Sequence, residues 1–271
     1  MTKLIICFLI LVGSFCIQGH ASSHLTRQDV VMDQDSVHVK FVRGGVGMAG
    51  SLGYFGFGEV NRYIADIYSA IKNSQSAFQS SNPKGEIHFG YGYKGFAELR
   101  IAGLFQAEAF YSQFFSFPFH LTIAAAGGWS YKTETFSFES GLQETGGLFL
   151  ITPALKNKKF RVLLGAGAGY IEGNIHQWVS GYTSIANPFP FLNKETTYSG
   201  SSIAYSGVIG ISVTPWRFLD ADLRIKGKYA MIPEVKNDQG EVFINRFNNN
   251  DPVSLNFSGV EISLAIRFLF P

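Results

Sequence analysis

Residues 219–229 alternate with a period of two. Leu219, Ala221, Leu223, Ile225 and Tyr229 take one parity; Asp220, Asp222, Arg224, Lys226 and Lys228 take the other. Successive side chains of a strand point to opposite faces, so this pattern predicts a β-strand with one apolar and one charged face. The same alternation recurs along the chain. In 86–94, Ile87, Phe89, Tyr91 and Tyr93 oppose Glu86, His88 and Lys94; in 96–111, Ala97, Leu99, Ile101, Phe105 and Tyr111 oppose Glu98, Arg100, Gln106 and Glu108. Segments 160–171, 203–214 and 260–270 alternate as clearly, while 37–49 and 146–155 do so less regularly, with Pro153 marking a strand end.

The connections sort into two kinds. Short ones are expected at Lys94-Gly95, at 156–159 and at 215–217, and long ones at 51–84, 112–145, 175–200 and 231–254. Short turns at one end and long loops at the other describe an all-β, antiparallel, up-and-down transmembrane barrel. Eight strands fit, and ten stay open, because 121–129 and 133–139 within the second long loop read either as two more strands or as an extension beyond the membrane.

Alternation alone does not say which face is outside, since a soluble barrel alternates with its apolar face inward. Charged residues are only 15% of the chain, against roughly 25% in ordinary soluble domains. That is too few for a charged outer wall. The polar parity is rich in Gly, Ser and Ala, which suits a crowded interior. Phe160 and Tyr170 bracket one apolar stretch. At about 3.3 Å per residue and a tilt of ~40°, they mark off about 25 Å, the height of a lipid-facing band.

The N-terminus reads as an address. Lys3 supplies a positive charge, 4–12 is apolar, and Gly19-His20-Ala21 has the small-x-small form of a cleavage site, so 1–21 is expected to be a secretory signal peptide. A periplasmic segment at 22–35 and a barrel over 36–271 are expected to follow. Both cysteines, Cys7 and Cys16, fall in the signal segment, which leaves the mature chain without a disulfide. A net charge of +2 builds no basic stripe and argues against nucleic-acid binding.

On these segments the chain resembles the small outer-membrane β-barrel family that includes OmpA-like and OmpW-like barrels. The resemblance is carried by Gly90-Tyr91-Gly92-Tyr93-Lys94-Gly95, by the strand from Phe160 through Gly165-Ala166-Gly167-Ala168-Gly169-Tyr170, and by the closing strand 260–270. It implies the bacterial outer membrane, outer-membrane lipid and the barrel assembly machinery as partners, and a monomer. The closing strand is similar to an assembly signal ending in an aromatic residue, with Phe270 displaced by one place before Pro271.

Residues 58–73 break the strand pattern. Val60, Ile64, Ile67 and Ile71 recur at helical spacing, with Glu59, Asn61, Arg62, Asp66 and Lys72 opposite. This predicts an amphipathic helix in the first extracellular loop, acting as cap, lid or plug. The expected interior charges are Glu98, Arg100, Glu108, Asp220, Asp222, Arg224, Lys226, Glu261 and Arg267, mixed in sign and expected to pair within a narrow lumen. Trp178, Tyr182, Phe189 and Phe191 in the third long loop are candidates for contact with an extracellular ligand or a host surface.

No catalytic, cofactor or metal site is expected. A lipid-modifying barrel resembling the deacylases would show His-x-Ser on a strand, where His120-Leu121-Thr122 offers Thr; there is no Gly-x-Ser-x-Gly elbow, phosphate loop or zinc spacing. The expected role is therefore structural or surface contact around a closed lumen, with a channel or transporter for small or hydrophobic solutes as the alternative.

Overall fold

The computed structural model describes residues 42–74, 77–81, 86–101, 104–127, 130–155, 159–184, 190–247 and 249–270. The expected signal peptide, the whole of the expected periplasmic segment, and the start of the strand expected over 37–49 lie outside them.

Chain order runs β1 (Val42–Phe55), α1 (Gly58–Ser74), β2 (Ala77–Ser81), β3 (Phe89–Ile101), β4 (Phe105–Ser116), β5 (Phe119–Gly127) and β6 (Ser130–Ile151). It continues with β7 (Phe160–Ser184), β8 (Pro190–Trp216), β9 (Leu219–Ile232), the two-residue strands β10 (Ile244–Asn245), β11 (Asp251–Pro252) and β12 (Leu255–Asn256), and β13 (Gly259–Leu269). All pairings between these strands are antiparallel. The ring order is β1-β3-β4-β6-β7-β8-β9-β13, and β13 returns to β1 from Gly45↔Leu269 to Phe55↔Gly259. First and last strands thus close an eight-stranded up-and-down barrel, the architecture of a transmembrane barrel. Closure leaves no unpaired edge in the ring, which is what a sheet in lipid requires.

The apolar parity faces out. On β9, Leu223 is 49% exposed and Arg224 2%. Ile225 is exposed on the same stave, and Met48, Leu52, Tyr170, Ile209, Ile262 and Leu264 on others, which makes the barrel wall an apolar belt.

The two further strands of the second long loop are not staves. β5 pairs with residues 130–138 of β6, above the level at which 141–151 of the same strand pair with β4, and β2 adds to the far side of β5. They build an arm that rises from the ring, so the ring keeps eight strands. β7 and β8 run into the same arm, with 25 and 27 residues. A strand of that length is about 80 Å long, or about 60 Å high when tilted by ~40°, against a lipid band of about 25 Å.

Two expected connections are corrected. The segment 175–200 is not a loop: 175–184 belongs to β7 and 190–200 to β8. There is no turn at Lys94-Gly95: Lys94 is mid-strand in β3, and the chain passes to β4 only after Ile101. The reason is parity. Ile101 pairs with Phe105 across a three-residue connection, so even-numbered residues stay inward on both sides and the alternation runs through the turn unbroken.

α1 covers the long-loop end of the barrel. Val60, Tyr63, Ile64 and Ile67 are buried against the barrel mouth, with Glu59 in the first turn and Lys72 in the last, as the helix dipole favours. Asn61 fixes its rotation: Nδ2 donates to the Ile87 carbonyl at 3.1 Å and the Ile87 amide donates back to Oδ1 at 2.8 Å. The β9–β13 connection lies beside it, turning through left-handed Asn249, Asn250 and Gly240.

Candidate functional site: the barrel interior and its arm

Inward residues of an eight-stranded ring meet across a space that side chains fill. At the short-turn end the filling is ionic. Arg267 on β13, fully buried, donates from Nη1 to Glu98 at 2.8 Å and to Gln106 at 2.9 Å, and from Nη2 to Asp222. Arg100 donates to Asp220 at 2.9 Å, which also accepts from Thr214 at 2.6 Å. One layer up, Arg224 bridges Asp222 at 2.8 Å and Glu108 at 2.8 Å, and Glu108 pairs again with Lys94. Higher still, Glu144 on β6 holds Lys226 at 3.1 Å and Lys228 at 2.6 Å, with Glu261 4.0 Å from Lys228.

These pairs join strands far apart in sequence and across the barrel, β3 to β9 and β4 to β9, so the network ties the ring through its centre. Each charge in these pairs has a counter-charge, the condition for burying it. Between Lys94, Arg224, Lys226 and Glu261 a cavity of ≈ 10 Å³ remains, about the space of one water molecule.

Above this level the filling changes. Lys228 sits 5.8 Å over the Phe55 ring, and from there the interior is apolar. Phe55, Phe57, Phe114, Leu142, Ile171, Ile175, Ile232, Phe257 and the inner face of α1 make one cluster, continued by Val235, Phe243, Val253 and Leu255 of the β9–β13 connection. Edge-to-face contacts hold it, Phe57 on Phe257 at 5.1 Å and Tyr63 on Phe243 at 5.0 Å. Gly173 is part of its fit: a Cβ there would meet Ile232 at 2.5 Å. Burial pushes the Tyr63 hydroxyl up, opposed by a 3.4 Å hydrogen bond donated by Gln177.

The structure gathers the nine charges expected inside into two ion-paired groups, Glu98, Arg100, Glu108, Asp220, Asp222, Arg224 and Arg267 in one and Lys226 with Glu261 at the margin of the other. It adds three that sequence reading left out of the set. Lys94 was hidden by its assignment to a turn, Glu144 by the loop expected over 112–145, and Lys228 was visible in the alternation of 219–229.

The contact candidates fare differently. Trp178 stands 49% exposed on β7. Tyr182 and Phe191 lie on the strands of the arm, and Phe189 lies outside the described residues. Among the described residues the histidines are not interior: His88 sits at the barrel rim with Nε2 2.5 Å from Glu86 and its ring stacked on Tyr54. His176, expected in a loop, is on β7 beside Thr197 at 2.9 Å and Glu195 at 3.3 Å. His120 meets Ser137 at 2.8 Å on the exposed face of the arm. Among the described residues no group of three His, Cys, Asp or Glu is placed to hold a metal ion.

No protein-family profile matches the sequence, and no curated protein does. Among solved structures, the chain is similar to Ail, the attachment invasion locus protein of Yersinia pestis, in complex with the heparin analogue sucrose octasulfate. Identity is 11%, coverage 84% of this chain and 99% of that one, and the TM-score 0.38. It is similar to Neisserial surface protein A at 10% identity, with 83% and 96% covered and a TM-score of 0.33. It is also similar to the outer-membrane protein OprG of Pseudomonas aeruginosa at 9% identity, with 84% and 94% covered and a TM-score of 0.34. All three are small eight-stranded outer-membrane barrels.

Proposed function

We propose that this chain is a monomeric barrel of the bacterial outer membrane that carries no steady flow of ions and acts through its arm, by contact at the cell surface. The apolar belt supports the membrane reading: a wall bearing Leu223, Ile225, Ile262 and Leu264 outward has lipid as its natural solvent. The observation that carries the function is the doubly filled interior, ionic below and apolar above, against an arm that rises well beyond the lipid band. The short-turn end, where β1 begins and β13 ends, is then periplasmic, and the arm extracellular.

A tag placed at 185–189 should stain on intact cells, and a tag at 156–158 only after the outer membrane is permeabilised. The opposite pattern overturns the orientation. Shortening 176–197 to a tight hairpin should abolish attachment to host-cell surfaces while the protein still shifts mobility on heating in a detergent gel. Undiminished attachment by that folded variant would contradict the contact role.

A further inference from the structure

The interior charges do not balance at the short-turn end. Lys94, Arg100, Arg224, Lys226, Lys228 and Arg267 each have a carboxylate within ion-pair distance. Two more arginines enter the same space. Arg43 shares the inward parity of Gly45, Ala49 and Phe55 on β1 and registers with Arg100. Arg161 shares that of buried Leu163 on β7, and its Nε and Nη1 atoms are shut off from solvent with no hydrogen-bond partner. Neither forms an ion pair among the described residues.

β1 and β7 are opposite staves, four places apart either way round the ring. Arg43, Arg100, Arg267 and Asp220 all lie within electrostatic reach of Arg161. Asp220, the one acid among them, is already engaged by Arg100 and Thr214. Two arginines therefore enter from opposite walls, and among the described residues neither has a carboxylate within ion-pair distance. Among the described residues, the short connections at this end carry Lys159 and Arg217 and no acidic residue. That adds a positive field around the opening, which draws anions inward.

We propose that Arg43 and Arg161 form an anion clamp in the periplasmic mouth, taking a carboxylate or phosphate group presented from the periplasm. The planar forks of two arginines match the paired oxygens of those groups and fit a spherical chloride poorly. The word periplasmic rests on the orientation proposed above; the clamp itself does not. A lipid headgroup offers the same phosphate chemistry, but it would reach the basic turns on the rim and not the interior.

The test uses the full mature protein folded in micelles of a neutral detergent, titrated with inorganic phosphate by calorimetry. Arg43→Gln and Arg161→Gln should each weaken phosphate binding at least tenfold, and Arg217→Gln on the rim less than twofold. In buffer free of multivalent anions, Arg161→Gln should unfold at the same or a higher urea concentration than the wild type, because it removes an uncompensated charge. No phosphate binding by the wild type, or equal binding in both interior variants, overturns the clamp. A lower urea midpoint for Arg161→Gln in that buffer also overturns it, since Arg161 would then be a structural cation. Loss of phosphate binding when phosphatidylglycerol is added to the micelles would put the anion's source in the bilayer and overturn the periplasmic assignment. Orientation on cells is read by the tags, so failure of one reading leaves the other standing.

Discussion

The two halves of the barrel interior are filled by opposite chemistries. Below, Arg267, Glu98, Asp222, Arg224 and Glu108 hold one another within a wall of strands. Above, Phe57, Ile67, Ile171 and Phe257 pack as in a soluble core, under a helix that is no part of the ring. The lower half sits where the outside is lipid, so the residues of each strand must divide into an apolar outer set and an inner set, and the inner set can be polar only if it is paired. The upper half has water outside and is free to reverse the assignment. The ionic half should therefore be part of what holds the ring, and the apolar half a separate unit resting on it.

The largest effect should come from breaking the ionic half. Arg267→Leu leaves Glu98 and Asp222 buried and short of a counter-charge, a loss of about 3–5 kcal/mol for a buried pair cut on one side. Urea unfolding in micelles, followed by tryptophan fluorescence, checks it; a loss under about 1 kcal/mol would show that the pairs contribute little to the ring. Next, Leu223→Arg puts a charge on the lipid side of the same layer, at about 2–4 kcal/mol near the bilayer midplane. Folding yield into lipid vesicles checks that. Indifference to the change would mean that the faces are reversed.

The smallest effect on the ring should follow damage to the apolar half. Ile67→Ala costs the plug about 2–5 kcal/mol by cavity formation. Amide exchange over 58–74 should accelerate accordingly, while the urea midpoint of the ring shifts by less than about 1 kcal/mol. If ring and helix lose stability together, the two halves are one cooperative unit and the division drawn here fails.

Much of the lower half was legible in the sequence, because alternation is local. Asp220 to Lys226 declare their face within seven residues, and Glu98, Arg100 and Glu108 do so even though a turn was misplaced between β3 and β4. That misplacement shows the limit. A three-residue connection preserves parity, so 102–104 leaves no mark in the alternation, while the glycines at 90, 92 and 95 suggest a break that the backbone does not make. The upper half was largely hidden. Phe57, Phe243, Val253 and Phe257 come from three separate stretches, and only α1 carries a local period. The arm was read as loops for a related reason: with water on one side and the plug on the other, 130–140 and 175–200 have no apolar outer face to announce a strand.

The central claim, that the interior is closed twice over, is tested most directly by conductance in a planar bilayer. Purified protein folded into the membrane should show no steady channels, and a variant lacking 58–74 should stay silent too, because the ion-paired layers beneath the helix still fill the ring. Stable, discrete conductance steps from the intact protein would contradict the account.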